Sequence, residues 1–155
     1  MTLDDLGNLG EFLAAIGTLI TLVYLAVQIR QNTNVVRGAT YQQVATAFTS
    51  VVGDIYRDPE LARIFTAGSD GLRSLSKEDR ARFHYLTINL FRTFENLHHQ
   101  YRKTLIDYED WEGHREGFLR FLSREEMQGW WRENSFRFNR YFRAFIDEQL
   151  RVHAA

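Results

Sequence analysis

Hydrophobic positions along this chain follow two patterns that change over at Arg30. From Phe12 to Ile29 they are nearly continuous: FLAAIGTLITLVYLAVQI holds 18 residues without a formal charge, and Leu9 to Ile29 makes 21, with Glu11 near the outer end. After Arg30, apolar residues recur at intervals of three or four, the period of an amphipathic helix. The segment from Val44 carries Phe48, Val51, Val52 and Ile55 on one face. Asp58-Pro59 predicts the end of that helix and, with Pro59 at a first helical position, the start of a short one through Leu61, Ile64 and Phe65. Gly68, Ser69, Asp70 and Gly71 predict the clearest loop in the chain. Ser76 with Asp79 predicts an N-cap for a long helix from Lys77 to Leu105, whose core stripe is Phe83, Leu86, Leu90, Phe94, Leu97, Tyr101 and Leu105. Asp107 is the expected cap of a helix through Phe118, Leu119, Phe121 and Leu122. Ser123 with Glu126 fits a capping box opening a helix that contains Trp130 and Trp131. Ser135 is the expected cap of the last helix, with Phe138, Tyr141, Phe142, Phe145 and Ile146 as its apolar residues. No segment alternates with the two-residue period of a strand, and there is no internal repeat. The expected fold is all-α: one N-terminal transmembrane helix followed by a cytoplasmic bundle of about five helices.

The continuous run has the length of a membrane span. At 1.5 Å per residue, about 20 residues cross a hydrocarbon core of roughly 30 Å. Leu9–Ile29 holds 11 Leu, Ile, Val or Phe residues, each favouring insertion by roughly 0.3–0.6 kcal/mol at the helix centre, and together they outweigh its few polar groups. A run of this length also suits a buried helix of a soluble bundle, which is the alternative. An export signal fits less well, because Asp4 and Asp5 stand where Lys or Arg is needed and no small-residue cleavage site follows. Arg30 and Arg37 lie just after the run and no Lys or Arg lies before it, so the positive-inside rule places the short acidic N-terminus outside and the long C-terminal part in the cytoplasm. In a bacterium this describes a single-pass inner-membrane protein: residues 1–30 form a periplasmic N-terminus and transmembrane helix, and residues 31–155 a cytoplasmic α-helical domain. Gln31–Asn34 is polar enough for a brief break, but Gly38 is the only strong breaker before Gly53, so the membrane helix can equally continue.

The stretch LGEFLAAIGTLITLVYLAVQIRQNTNVVRGATYQ, Leu9 to Gln42, resembles the start of a group of small, uncharacterised bacterial proteins. In these an apolar helix runs into a YLAxQIRQNT-like segment and then a helical domain. The segment here is YLAVQIRQNT, Tyr24 to Thr33. The resemblance is specific over this stretch and architectural beyond it. It implies a membrane-anchored helical protein and assigns no activity and no catalytic residue.

The span has two faces. Steps of three and four residues from Glu11 give Ala14, Thr18, Thr21, Leu25, Gln28, Asn32 and Val35, small or polar at nearly every position. The opposite stripe, Phe12, Ile16, Leu19, Ile20, Val23 and Val27, suits lipid. A neighbouring ladder of Gly10, Ala14, Gly17 and Thr21 lets another backbone approach closely. Lipid tails reward no polar face, so the stripe is expected to face protein, as helix packing in a homo-oligomer or against another membrane subunit. The alternatives are a pore lined by rings of Glu11, Thr18, Thr21 and Gln28, or polarity tolerated in a lone anchor.

Whole-chain averages conceal this division. The 155 residues are 45% apolar and 25% charged with a mean hydropathy of −0.36, values of an ordinary soluble domain. Their charge is divided as well. Residues 1–29 hold Asp4, Asp5 and Glu11 and no base, so the remainder, with 19 basic and 17 acidic residues, carries +2 within a total of −1. No global field draws the chain to nucleic acid, and residues 111–151 hold 8 Arg against 7 Asp or Glu, which cancels most of a local one. Of the 19 basic residues 17 are Arg, and 16 of the 22 aromatics fall between Phe83 and Phe145. That mixture predicts aromatic stacking and carboxylate pairing within or between subunits.

Candidate chemistry is sparse. Without cysteine there is no disulfide, thiolate zinc site or cysteine nucleophile. Glu95 and His98 make the only E-x-x-H pair, beside His99 and Arg102. Such a pair can supply two ligands to one metal, but a di-iron site needs a second pair and two further glutamates. The three residues Glu95, His98 and His99 are therefore weak metal candidates, and a polar helix face is the preferred reading; no cofactor is expected. His84, His114 and His153 are isolated. No G-x-G-x-x-G follows a strand, and G-x-S-x-G and H-E-x-x-H are absent. Adjacent Trp130 and Trp131 predict core plus rim, with the membrane interface, alongside Arg30 and Arg37, as the alternative. The functional expectation is assembly without catalysis: a homo-oligomer or an accessory, scaffold subunit of an inner-membrane complex, in contact with lipid, with a small oligomeric ion channel as the alternative and a metal-dependent enzyme a more distant one.

Overall fold

A computed structural model of the chain describes residues 3–153, apart from the side chains of Asp5, Leu6, Leu9 and His153. The readings of Asp5 in the acidic flank, Leu9 in the span and His153 as isolated therefore lie outside the described side chains. Among the described residues there are six α-helices and no strand: α1 (Leu3–Arg57), α2 (Pro59–Asp70), α3 (Lys77–Arg102), α4 (Tyr108–Leu122), α5 (Glu125–Asn134) and α6 (Arg140–His153). Single turns of 3₁₀ helix at Leu72–Ser74 and Ser135–Arg137 lead out of α2 and α5. The protein is all-α. It divides into two compact units, Met1–Ala39 and Thr40–Ala155.

The first unit is helical throughout its described length. Gln31–Asn34 and Gly38 remain inside α1, so the polar stretch does not break it. The Thr33 hydroxyl donates to the Ile29 carbonyl at 2.9 Å and is satisfied without leaving the helix. This helix is long and apolar enough to cross a membrane. None of its apolar window is buried within this chain.

In the second unit, local capping chemistry fixes the early helix starts. Asp58 Oδ1 accepts from the Glu60 and Leu61 amides at 2.8 and 3.3 Å, and Pro59 occupies the first turn of α2, where its missing N–H costs nothing. Ser76 Oγ accepts from the Asp79 amide at 3.0 Å and opens α3. Arg63 reaches Asp79 at 3.0 Å, and Arg82 joins Glu60 and Glu78 at 2.8 and 3.1 Å, linking α2 to α3 at the surface.

Four boundary expectations are corrected. Gly68 and Ser69 belong to α2, which runs to Asp70, and only Gly71 leaves it. Gly68 is buried because α3 passes so close that a Cβ there would lie 2.3 Å from the Phe83 ring. The glycine serves packing, not a turn. Helix α3 stops at Arg102, short of Leu105, since Thr104 takes a left-handed backbone at φ 57° and the Leu105 amide turns back to the Gln100 carbonyl. Ser123 closes α4, its hydroxyl donating to the Arg120 carbonyl at 2.8 Å, and Arg124 precedes α5, so the capping box does not form. Asn139, not Ser135, caps α6: its Oδ1 accepts from the amides of Tyr141 and Phe142 at 3.0 Å each.

The core of this unit is aromatic. Phe91 is fully buried, with ring centroids of Trp130, Phe118, Trp131 and Phe138 at 4.8, 5.1, 5.4 and 5.8 Å. Of the expected stripe of α3, Phe83, Leu90, Phe94 and Leu97 are buried, whereas Leu86, Tyr101 and Leu105 are half-buried. The helix also buries Thr87, Phe91, Thr93 and His98, so it is enclosed on more than one face. Along the end of α1, Val44 and Val51 are buried and Phe48 and Ile55 pack against them, while Val52 is exposed.

Candidate functional site

Two places concentrate the residues singled out above, one in each unit. In the first unit Glu11, Ala14, Gly17, Thr18, Thr21 and Gln28 are all exposed, as is the lipid-like stripe opposite. A Cβ added at Gly10 or Gly17 would meet no atom within 4 Å, so the small-residue ladder is an open notch. Thr18 donates to the Ala14 carbonyl at 2.9 Å and Thr21 to the Gly17 carbonyl at 2.8 Å. Their hydroxyl protons are thus committed inside the helix, and what remains on the surface is acceptor lone pairs and small volume. Gln28 Nε2 reaches the Tyr24 hydroxyl at 3.4 Å, a long contact that leaves the amide available. Arg30 is exposed and Arg37 half-buried.

In the second unit Glu95, His98 and His99 sit on α3 but do not converge. Glu95 is occupied: one oxygen accepts from Arg92 at 2.5 Å, and the other from the amide and Nδ2 of Asn139 at 2.7 and 2.9 Å. The carboxylate thereby fixes the loop ahead of α6, while Arg92 also donates to the Arg137 carbonyl at 2.6 Å. His98 points into the core, stacked on Phe145 at 4.9 Å with Trp111 and Phe142 at 5.6 and 5.7 Å. Burial holds its imidazole down to about 4, with the Arg102 and His99 charges acting the same way and Glu95 opposing them. His99 is exposed. Among the described residues no three His, Asp or Glu side chains are grouped to hold a metal. Periodicity gave no sign of Asn139 or Trp111 as the partners of Glu95 and His98, because both come from other helices or loops.

The tryptophans correct a further expectation. Trp130 is 5% exposed and Trp131 1%, so both lie in the core; there is no rim member, and neither ring is free to reach a membrane interface. Each indole N–H has a partner: Trp130 donates to His84 Nδ1 at 3.1 Å and Trp131 to Asp147 Oδ1 at 2.9 Å. His84, pushed below its ordinary value by burial and then by Arg137, stays neutral and able to accept. Several arginines stack on aromatic rings, Arg102 over Tyr141 at 3.6 Å and Arg92 over Phe138 at 4.8 Å.

These features define a class: an all-α protein with one helix long and apolar enough to cross a membrane and a helical unit with an aromatic core. Comparison of the chain with family models, with curated proteins and with solved structures finds no match.

Proposed function

We propose that the chain is a single-pass bacterial inner-membrane protein that works by assembly, as a homo-oligomer or as an accessory subunit of a larger membrane complex. The observation that carries this reading is the apolar run Phe12–Ile29, exposed along its whole length on a helix with an open notch at Gly10 and Gly17. Exposed apolar surface of this extent needs lipid or protein around it. The lipid-like stripe suits the former and the Glu11-to-Gln28 stripe the latter. Where no hydrophobic force acts between helices, close backbone approach at small residues is what drives association. The acidic side before the span and Arg30 and Arg37 after it support a periplasmic N-terminus and a cytoplasmic helical domain.

Packing is favoured over a pore because Gly10 and Gly17 leave the helix surface open to the close approach of another backbone. The chain contains no cysteine, which makes the test direct. Single cysteines are placed at Ala14, Gly17 and Thr21, and separately at Ile16, Ile20 and Val23, and oxidised in native membranes. The expected result for a homo-oligomer is disulfide-linked dimer from the first set and little from the second. If the two sets cross-link equally, or neither does and no other subunit is retained, the packing stripe is wrong.

A further inference from the structure

A cleft of about 330 Å³ opens on the second unit between the end of α1 and helices α2, α3 and α4. Its walls include Phe48 and Ile55 of α1, Phe65 of α2, Phe94 of α3, and Gly117 and Phe121 of α4. The rings are held in place by one another: Phe48 meets Phe94 edge-on at 4.7 Å and stacks on His114 at 4.7 Å, and Phe65 stacks on Phe121 at 5.7 Å. Gly117 leaves the space open, since a Cβ there would meet nothing within 4 Å. Among the described residues no charged side chain lines this cleft.

A second, shallower depression adjoins it and shares Phe48, Val52 and Tyr56 with it. That one holds the Arg57 guanidinium, folded back so that its central carbon lies 3.6 Å from the Cβ position of Gly53. Arg57 is exposed and, among the described residues, pairs with no carboxylate. Tyr56 stands beside it with 72% of its surface open.

An apolar slot next to a cation that pairs with no carboxylate among the described residues has the chemistry of an amphiphile site. We propose that the second unit binds a long-chain fatty acid, with the distal part of the alkyl chain in the Phe48–Gly117 cleft, its near part in the adjoining depression and the carboxylate on Arg57. Size agrees: at about 30 Å³ per methylene-sized group, close to the share of a water in the liquid, the cleft takes roughly ten carbons, and the adjoining depression of about 370 Å³ has room for the rest of the chain and its carboxylate. Polarity agrees as well, because an alkyl chain leaves no hydrogen-bonding group unsatisfied among phenyl rings, whereas a peptide backbone would. Arg57 supplies charge-assisted hydrogen bonds that a planar carboxylate accepts in pairs.

The test uses the full chain in phosphatidylcholine nanodiscs and cis-parinarate, a fluorescent eighteen-carbon acid probe. All three tryptophans, Trp111, Trp130 and Trp131, belong to the second unit, so they sensitise probe bound there. The expected result is a saturable signal near one probe per chain. Gly117→Leu, which fills the slot at a helical position with free space, removes the signal with helicity and melting temperature retained. Arg57→Glu weakens it at least tenfold, and the matching fatty alcohol competes at least tenfold less well than the acid. A signal that fails to saturate, that is unchanged in a folded Gly117→Leu chain, or that the alcohol competes equally well overturns the proposal.

Discussion

Gly68 and His98 show how single residues carry the second unit. At Gly68, α2 and α3 are so close that the Phe83 ring occupies the place of a Cβ, 2.3 Å from where it would stand. Gly68→Ala is therefore expected to destabilise by about 1–3 kcal/mol, as overpacking does, despite alanine's better helix propensity. Thermal unfolding followed by circular dichroism checks this; a melting temperature equal to or above that of the parent would contradict it. For His98 the sign follows from linkage. In the unfolded chain the imidazole takes up its proton near its ordinary value of 6.5, but in the fold it does so only at about 4. Between those limits the unfolded state binds more protons, so stability falls as pH drops from 6.5 towards 4, by at most about 1.4 kcal/mol per pH unit from this group. His84 adds to the loss in the same direction, since its protonation removes the acceptor of the Trp130 N–H. Urea unfolding in detergent at pH 7 and pH 5 measures it, and His98→Gln is expected to flatten the slope. Equal stability at the two pH values would remove this account of His98.

At the scale of elements, what was legible in the sequence was local and what was not was tertiary. Asp58-Pro59 and Ser76 announce helix starts because their bonding partners lie two or three residues away. Asn139 does the same chemistry for α6, but Ser135 offers an equally good signal nearby, and the hold of Glu95 on the Asn139 amide is a tertiary contact that local sequence does not show. Gly68 and Gly71 look alike in sequence, since glycine marks both turns and close contacts. The stripe on α3 recovered Phe83, Leu90, Phe94 and Leu97 but not Phe91, because a helix enclosed on several sides has no single stripe. Both tryptophans of α5 are interior for the same reason: Phe91 and Phe138 pack on each of them, and Phe142 closes over Trp131. The cleft residues Phe48 and Gly117 were invisible as a site, being brought together from α1 and α4. In α1, by contrast, the apolar run was plain from the order of residues alone. Gly17→Leu, which fills the notch without adding charge, is expected to leave membrane insertion intact and to lower assembly severalfold, read by blue native electrophoresis. Unchanged migration would remove the notch from the account.

For the whole molecule, the total charge of −1 and the mean hydropathy of −0.36 describe neither unit. One unit is a helix whose apolar run is fully exposed; the other holds an aromatic core, with arginines such as Arg63, Arg92 and Arg102 on its own carboxylates and rings. That exposed run is the observation on which the proposal of assembly in a membrane rests. The most direct measurement is gentle extraction from the native membrane followed by the mass of the intact particle. The account predicts a particle containing several copies of the 18.3 kDa chain, or one copy bound to other membrane subunits. A particle containing a single chain and lipid alone, or recovery of the chain in the soluble fraction without detergent, would contradict it.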